Sequence, residues 1–506
     1  MRIFFLSFLL YPILLLSQNK AVDASTKWIE DNGADMINEY AEFLKLPNHA
    51  SNINDINKNA EFLKNSFSNR GFEMQLLELP DAPPIVYGER LVPGAKRTYC
   101  FYIHYDGQPV DPEAWKHGPF NPTLYDKAMS KGGKKIDFPK SGDKIEKEWR
   151  VYARSASDDK APFLTLWSAI DALNNSEIPF SSNIKLFFDG EEESSSPNVM
   201  DYLEKYSELF DDIDVWLLND GAVFQTGQPQ FKFGGRGVTS LELTVFGANA
   251  SLHSGHYGNW APVPGQMLAR LLTSMKSEDG TVLIDGFYDS VTPISKYERE
   301  QINNIPNIDK YLKKELDLTY TEGNNQNLFE RVLVPSLTIR GLSSGNVGEK
   351  SRNVIPSKAI ATLGMRLVKG NDPDKMIDLV EDHIRSQGWY ITYEDPDKKV
   401  RNTYPKIVKI KRNPNGFPAG KIDMDNAIIK PIIESVKEHL NPNIVLLSSS
   451  GGSNRIYEII FEVLKKPGIS VNMVNHDNNQ HAANENLRLG NLWYGINLMA
   501  LLLTME

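Results

Sequence analysis

A single cysteine, Cys100, stands in a chain of 506 residues. It excludes an internal disulfide and any thiolate metal cluster, so a bound metal must be held by His, Asp and Glu. Basic charge is also short: the net charge is −10, without the cationic footprint of a nucleic-acid binder. Long apolar runs are missing beyond the first residues. The one run, residues 3–16, is shorter than the roughly 20 residues of a spanning helix and is broken by Pro12. Arg2 precedes it and Ser17-Gln18 follow, so residues 1–18 read as a secretory signal peptide. The expectation is an exported protein, periplasmic or secreted, with no stable membrane insertion after cleavage. No internal repeat is present.

What remains is ordinary globular composition, 41% hydrophobic and 24% charged, at a length that predicts two or more compact units. Helical spacing is predicted over residues 23–44 and 59–67. Aromatic and β-branched runs at 97–103, 183–188, 214–218 and 469–474 predict buried strands. Helical patterns at 161–173, 198–209 and 425–440 alternate with them, which predicts an α/β fold with a mostly parallel sheet covered on both faces. From residue 231 the texture changes. Half-exposed strands at 240–246, 336–339 and 359–367, with helices at 264–275 and 374–386, predict an inserted α+β domain over 231–411. The catalytic domain then comprises 19–230 and 412–506. Two stretches read as solvated loops, 127–147 and 402–420.

The informative feature is where His and acidic residues fall. His104 and Asp106 follow the 97–103 strand; Glu191, Glu192 and Glu193 follow 183–188; Asp220 follows 214–218; His481 follows 469–474; and Asp158 opens the 161–173 helix. Alone, each is ordinary: Asp158 could be only a helix cap. In open α/β sheets, however, ligands bind beyond the carboxyl ends of strands. Two imidazoles and several carboxylates on one rim suit two hard or borderline cations such as zinc. Paired cations activate a shared water, and of the adjacent Glu192 and Glu193 one can ligate while its neighbour moves a proton.

Five motifs in order then resemble the di-zinc amidohydrolases of metallopeptidase family 20, which include carnosinases, carboxypeptidase G and aminoacylase. They are His104-Tyr105-Asp106, Arg154 to Lys160 with Asp158, Asp189 to Ser196 with the glutamate pair, Leu252-His253-Ser254-Gly255, and His481 with Asn484-Glu485. The resemblance implies a zinc-exopeptidase catalytic domain with an inserted lid or dimerisation domain, and a homodimer. It implies that Asp158 bridges two zinc ions, with His104 and Asp220 on one and Glu193 and His481 on the other; Mn2+ or Co2+ are alternatives. Glu192 is implied as general base, Asp106 as the partner orienting His104, and His253 as the oxyanion-stabilising residue. Arg366 with Gly452 and Ser453 is implied to bind the substrate. The activity implied is hydrolysis of dipeptides or short peptides. N-acyl-amino-acid deacylation, and a non-catalytic metal-binding relative, are the alternatives. Ala153, Ser155 and Ala161 depart from the family's glycines, and 127–147 is longer than its counterpart, as either a flap or a surface loop.

Overall fold

The computed structural model describes residues 7–324 and 326–505; residues 1–6 of the expected leader lie outside them. The chain divides into two units, one of Met1–Phe233, Ile422–Ser448 and Ile459–Glu506, the other of Gly234–Lys421 and Ser449–Glu458.

An eight-stranded mixed sheet forms the frame of the first unit. Its centre is parallel: Thr98–His104 lies between Asn183–Asp189 and Val215–Leu218, and Gly468–Val471 extends the same direction. Every residue of Thr98–His104 is buried, as a strand covered on both faces requires. Two helices supply much of that cover. Ala161–Asn175 and Leu489–Leu503 are buried over most of their circumference, and Trp167, Phe163, Phe43 and Phe188 interlock between helix and sheet. Register sets the level of the strand ends: His104 pairs with Asp189 and Tyr102 with Leu218. The loops carrying Glu192, Glu193 and Asp220 therefore leave the sheet on the same edge as His104.

The 127–147 segment is laid against the long helix Ser7–Leu44. Asn38 donates to the Pro139 carbonyl at 3.0 Å, and a Cβ on Gly33 would meet Ile145 at 2.9 Å. Its short strand Lys135–Ile136 pairs with Thr123–Tyr125, which answers the open choice in favour of a packed surface loop.

The second unit is a five-stranded sheet, with Gly237–Phe246 at its centre and Ser336–Ser343 at one edge. Helices Pro264–Thr273 and Pro373–Ser386 cover one face through Leu268, Leu271, Ile377 and Val380. Here one expectation is corrected. Residues 402–420 are not a solvated loop: Ile407–Arg412 is a strand between Gly237–Phe246 and Tyr390–Thr392. Val408 and Ile410 enter the core while Lys409 and Lys411 point away. The surrounding Lys, Arg, Asn and Pro masked a short apolar alternation.

Candidate metal centre

Asp158 sits on the loop before helix Ala161–Asn175, and two groups of possible ligands share it. His104, Asp158 and Asp220 form one; Asp158, Glu193 and His481 form the other; within each group the ligand atoms lie within 4.8 Å of one another. His104 Nε2 is 3.1 Å from Asp158 Oδ1, and His481 Nε2 is 3.0 Å from Oδ2 and 3.3 Å from Glu193 Oε2. One carboxylate thus faces an imidazole on each side. Contacts with His104 and His481 outweigh burial and hold the Asp158 carboxyl well below the usual range. Burial, then the Asp158 charge, pushes Glu193 up to about 7. Glu192 is pushed well above its usual value by burial, with Asp220, Glu193 and Asp106 adding to it.

This surplus of acid fits a cation better than a proton. Both oxygens of the fully buried Asp159, next to Asp158, make no side-chain hydrogen bond, although buried polar atoms are nearly always satisfied. Two imidazole nitrogens with carboxylate oxygens are a donor set for zinc. Cys100 takes no part: it is buried in the sheet, where burial holds its thiol well above the usual value.

Asp106 is fully buried and its carboxylate does two things. Oδ1 lies 3.3 Å from His104 Nδ1, and the two oxygens accept the backbone N–H groups of Glu192 and Glu193, each at 3.1 Å. The same side chain therefore aims the His104 imidazole and seats the glutamate pair. Glu192 Oε2 comes within 3.9 Å of His104 Nε2, and Gln108 donates to Glu193 at 2.7 Å.

Glu485 has a larger part than its place in the His481 motif suggested. Fully buried, it accepts from Arg154 at 2.8 Å, the Ser155 N–H at 2.9 Å, the Ser157 N–H at 2.8 Å, the Ser157 hydroxyl at 3.0 Å and the Asp158 N–H at 2.8 Å. The loop that carries His481 thereby grips the loop that carries Asp158. Beside it, Lys160 buries its ammonium against the Phe43 and Leu46 carbonyls, and burial holds its pKa far down. The only sequence signal for the grip is a lone acid four residues after a histidine.

His253, Arg366, Gly452 and Ser453 belong to the second unit and are not among the residues gathered around Asp158. His253 opens a one-turn helix and its Nδ1 accepts the Gly255 N–H at 3.1 Å. Arg366 donates to the Ser453 hydroxyl at 2.6 Å, and Gly452 offers its carbonyl to the Arg236 N–H at 3.2 Å.

A family model described as peptidase family M20/M25/M40 matches residues 100–505, and the chain belongs to that family. It is 26% identical over 87% of its length to the Cys-Gly metallodipeptidase of Schizosaccharomyces pombe, covering 88% of that protein. To the human β-Ala-His dipeptidase it is 25% identical over 84% of the chain and 78% of the relative. Among solved structures, an M20 metallo-carboxypeptidase from Sulfolobus solfataricus superposes with a TM-score of 0.73 at 27% identity, covering 92% of this chain and 98% of the other. The protein is a metallopeptidase with the α/β fold of that family.

Export is corrected. The dipeptidase relatives lend it no support, and helix Ser7–Leu44 runs without a break through the expected cleavage region at residue 18. There Gln18 is buried and accepts the Ser435 hydroxyl at 3.0 Å. A periplasmic or secreted location is withdrawn. Among the described residues no helix is long and apolar enough to cross a membrane.

Proposed function

We propose that the protein is a two-zinc dipeptidase acting on short peptides with a free C-terminal carboxylate. The single observation that carries this reading is the sharing of Asp158 between two ligand groups, which is how a bridging carboxylate is placed. Its donors fit zinc first, with Mn2+ or Co2+ as substitutes. When bound, the metal pair would polarise the scissile carbonyl and lower the pKa of water.

The chain's own residues then divide the remaining work. Glu192 takes the proton of the attacking water and passes it to the leaving amine. Its position supports the role: its carboxylate lies 3.9 Å from His104 Nε2 and belongs to neither ligand group. Asp106 keeps His104 in the tautomer that presents Nε2 to the site. Within the second unit we assign His253 to the developing oxyanion, and Arg366, with Ser453 and Gly452, to the substrate carboxylate. We assign dimer formation to that unit as well. The deacylase alternative is not favoured, because the curated relatives above are named dipeptidases.

Metal-reconstituted protein assayed on unblocked dipeptides and on N-acyl amino acids tests the substrate. Dipeptide hydrolysis is expected, and turnover confined to acyl amino acids would overturn the reading. Glu192→Gln should keep the metal content and lose about 10²–10⁴-fold in kcat. Full activity in that variant would remove Glu192 as base.

A further inference from the structure

We propose that the arginine face of the second unit accepts two negative charges, so that the preferred substrates are dipeptides ending in Asp or Glu. The proposal rests on the dipeptidase reading and names its substrate class. Three guanidinium groups carry it: Arg366 on strand Lys358–Leu367, Arg340 on the edge strand Ser336–Ser343, and Arg236 just before strand Gly237–Phe246.

Among the described residues no carboxylate pairs with any of the three. Two other arginines of the same unit do find acids, Arg412 at Glu381 and Asp378 and Arg385 at Glu381 and Asp382, while the Arg401 and Arg331 guanidinium groups donate to neutral oxygens. Arg236 is the sharpest case. It is 7% exposed, its Nε has no hydrogen-bond partner, and its guanidinium meets only neutral acceptors, the Val334 carbonyl at 2.9 Å and the Ser336 hydroxyl at 3.4 Å. A buried cation without a counter-ion is costly. Burial, then the neighbouring Arg366 charge, lowers Arg236 to about 10, and Arg366 is lowered by burial and then by Arg340. Arg366 thus stands between two like charges with no acid to separate them.

The backbone is shaped to maintain this crowding. Ile339 pairs with Leu363 and Gly341 with Thr362, so Arg340 is the extra residue of a β-bulge, a device that re-aims a side chain. The side chain then lies over Gly364, where a Cβ would come within 2.9 Å of its Cδ and Nε. A side chain at 364 would displace Arg340 from the face that Arg366 occupies two positions along. The loop beside them is fixed as well: Ser453 accepts from Arg366, while the Gly452 carbonyl accepts from the Ser450 hydroxyl at 2.9 Å and from the Arg236 N–H. A single α-carboxylate satisfies one guanidinium fork. Arg340 and Arg236 leave room in the charge balance for a second carboxylate, one side chain away.

The test uses full-length, zinc-loaded protein and isosteric pairs. The kcat/KM of Ala-Glu should exceed that of Ala-Gln by about tenfold or more, and Ala-Asp that of Ala-Asn likewise. Arg340→Gln, at an exposed site, should bring the acid-to-amide ratio close to one, and Arg340→Lys should keep part of it. Calorimetric binding of free glutamate against free glutamine provides a second measurement that needs no turnover. Equal rates and equal binding for acid and amide would overturn the inference and leave the dipeptidase reading intact. If no dipeptide were cleaved, the dipeptidase reading would fall, and the binding arm would still decide: glutamate favoured supports the anion face, equal binding ends it.

Discussion

The two ligand groups that meet at Asp158 differ in how they are held. On one side His104 is fully buried, fastened by Asp106 and set at the end of a strand with neighbours on both edges. On the other, His481 has 53% of its side chain exposed and stands on a loop with its backbone in the left-handed region. The first group is built by the sheet; the second is brought to it by a loop tied down from behind. Glu485 makes one tie and Arg150 another, through Asp477 at 2.8 Å and Asn486 at 2.7 Å. Asp158 therefore joins a group of candidate ligands fixed by the sheet to one whose order depends on ion pairs behind its loop, and the two groups should part under stress.

Four measurements would break or sharpen that contrast. Asp158→Ala removes the shared ligand and should abolish both halves; mass-spectrometric analysis finding full metal content would contradict a common bridge. Next in size, Glu485→Gln should weaken metal affinity by about 10–100-fold, as expected when a partner that orients ligands is lost. A merely structural role would change melting temperature but leave the affinity of the folded protein where it was. Stepwise chelation should then release metal in two phases, with His481→Ala eliminating the faster one; a single phase in the parent protein would show that the halves act as one. The smallest effect concerns acid. The Arg150 hydrogen bonds outweigh burial and lower Asp477 to about 2. A carboxyl depressed on folding stabilises the protein above its ordinary range and loses that contribution as pH falls through about 4 towards 2. Asp477→Asn should thus flatten the parent's decline in stability over that window, and an unchanged acid profile would count against the tie.

Much of the frame was readable in the chain. The run Thr98 to Ile103 is aromatic and β-branched apart from Cys100, and the pattern at 161–173 reads as a helix. Placing His104, Glu193 and Asp220 just past strand ends needed no more than that alternation. Ile407–Arg412 was misread because charged neighbours hid two core residues, and a strand's worth depends on which partners it finds. Glu485 was noticed only as context for His481, since its five donors lie about 330 positions away in the chain.

Residue types and local periodicity alone settled the absence of thiolate chemistry, the alternation of strands and helices, and the segments that bear hard ligands. These depend on composition and on neighbours a few positions apart. Tertiary structure alone decided that Asp158 faces two histidines, that Glu485 clamps its loop, and that three arginines crowd together without an acid. Each is a matter of register and distance between remote segments, and electrostatic energy depends on that separation rather than on order along the chain.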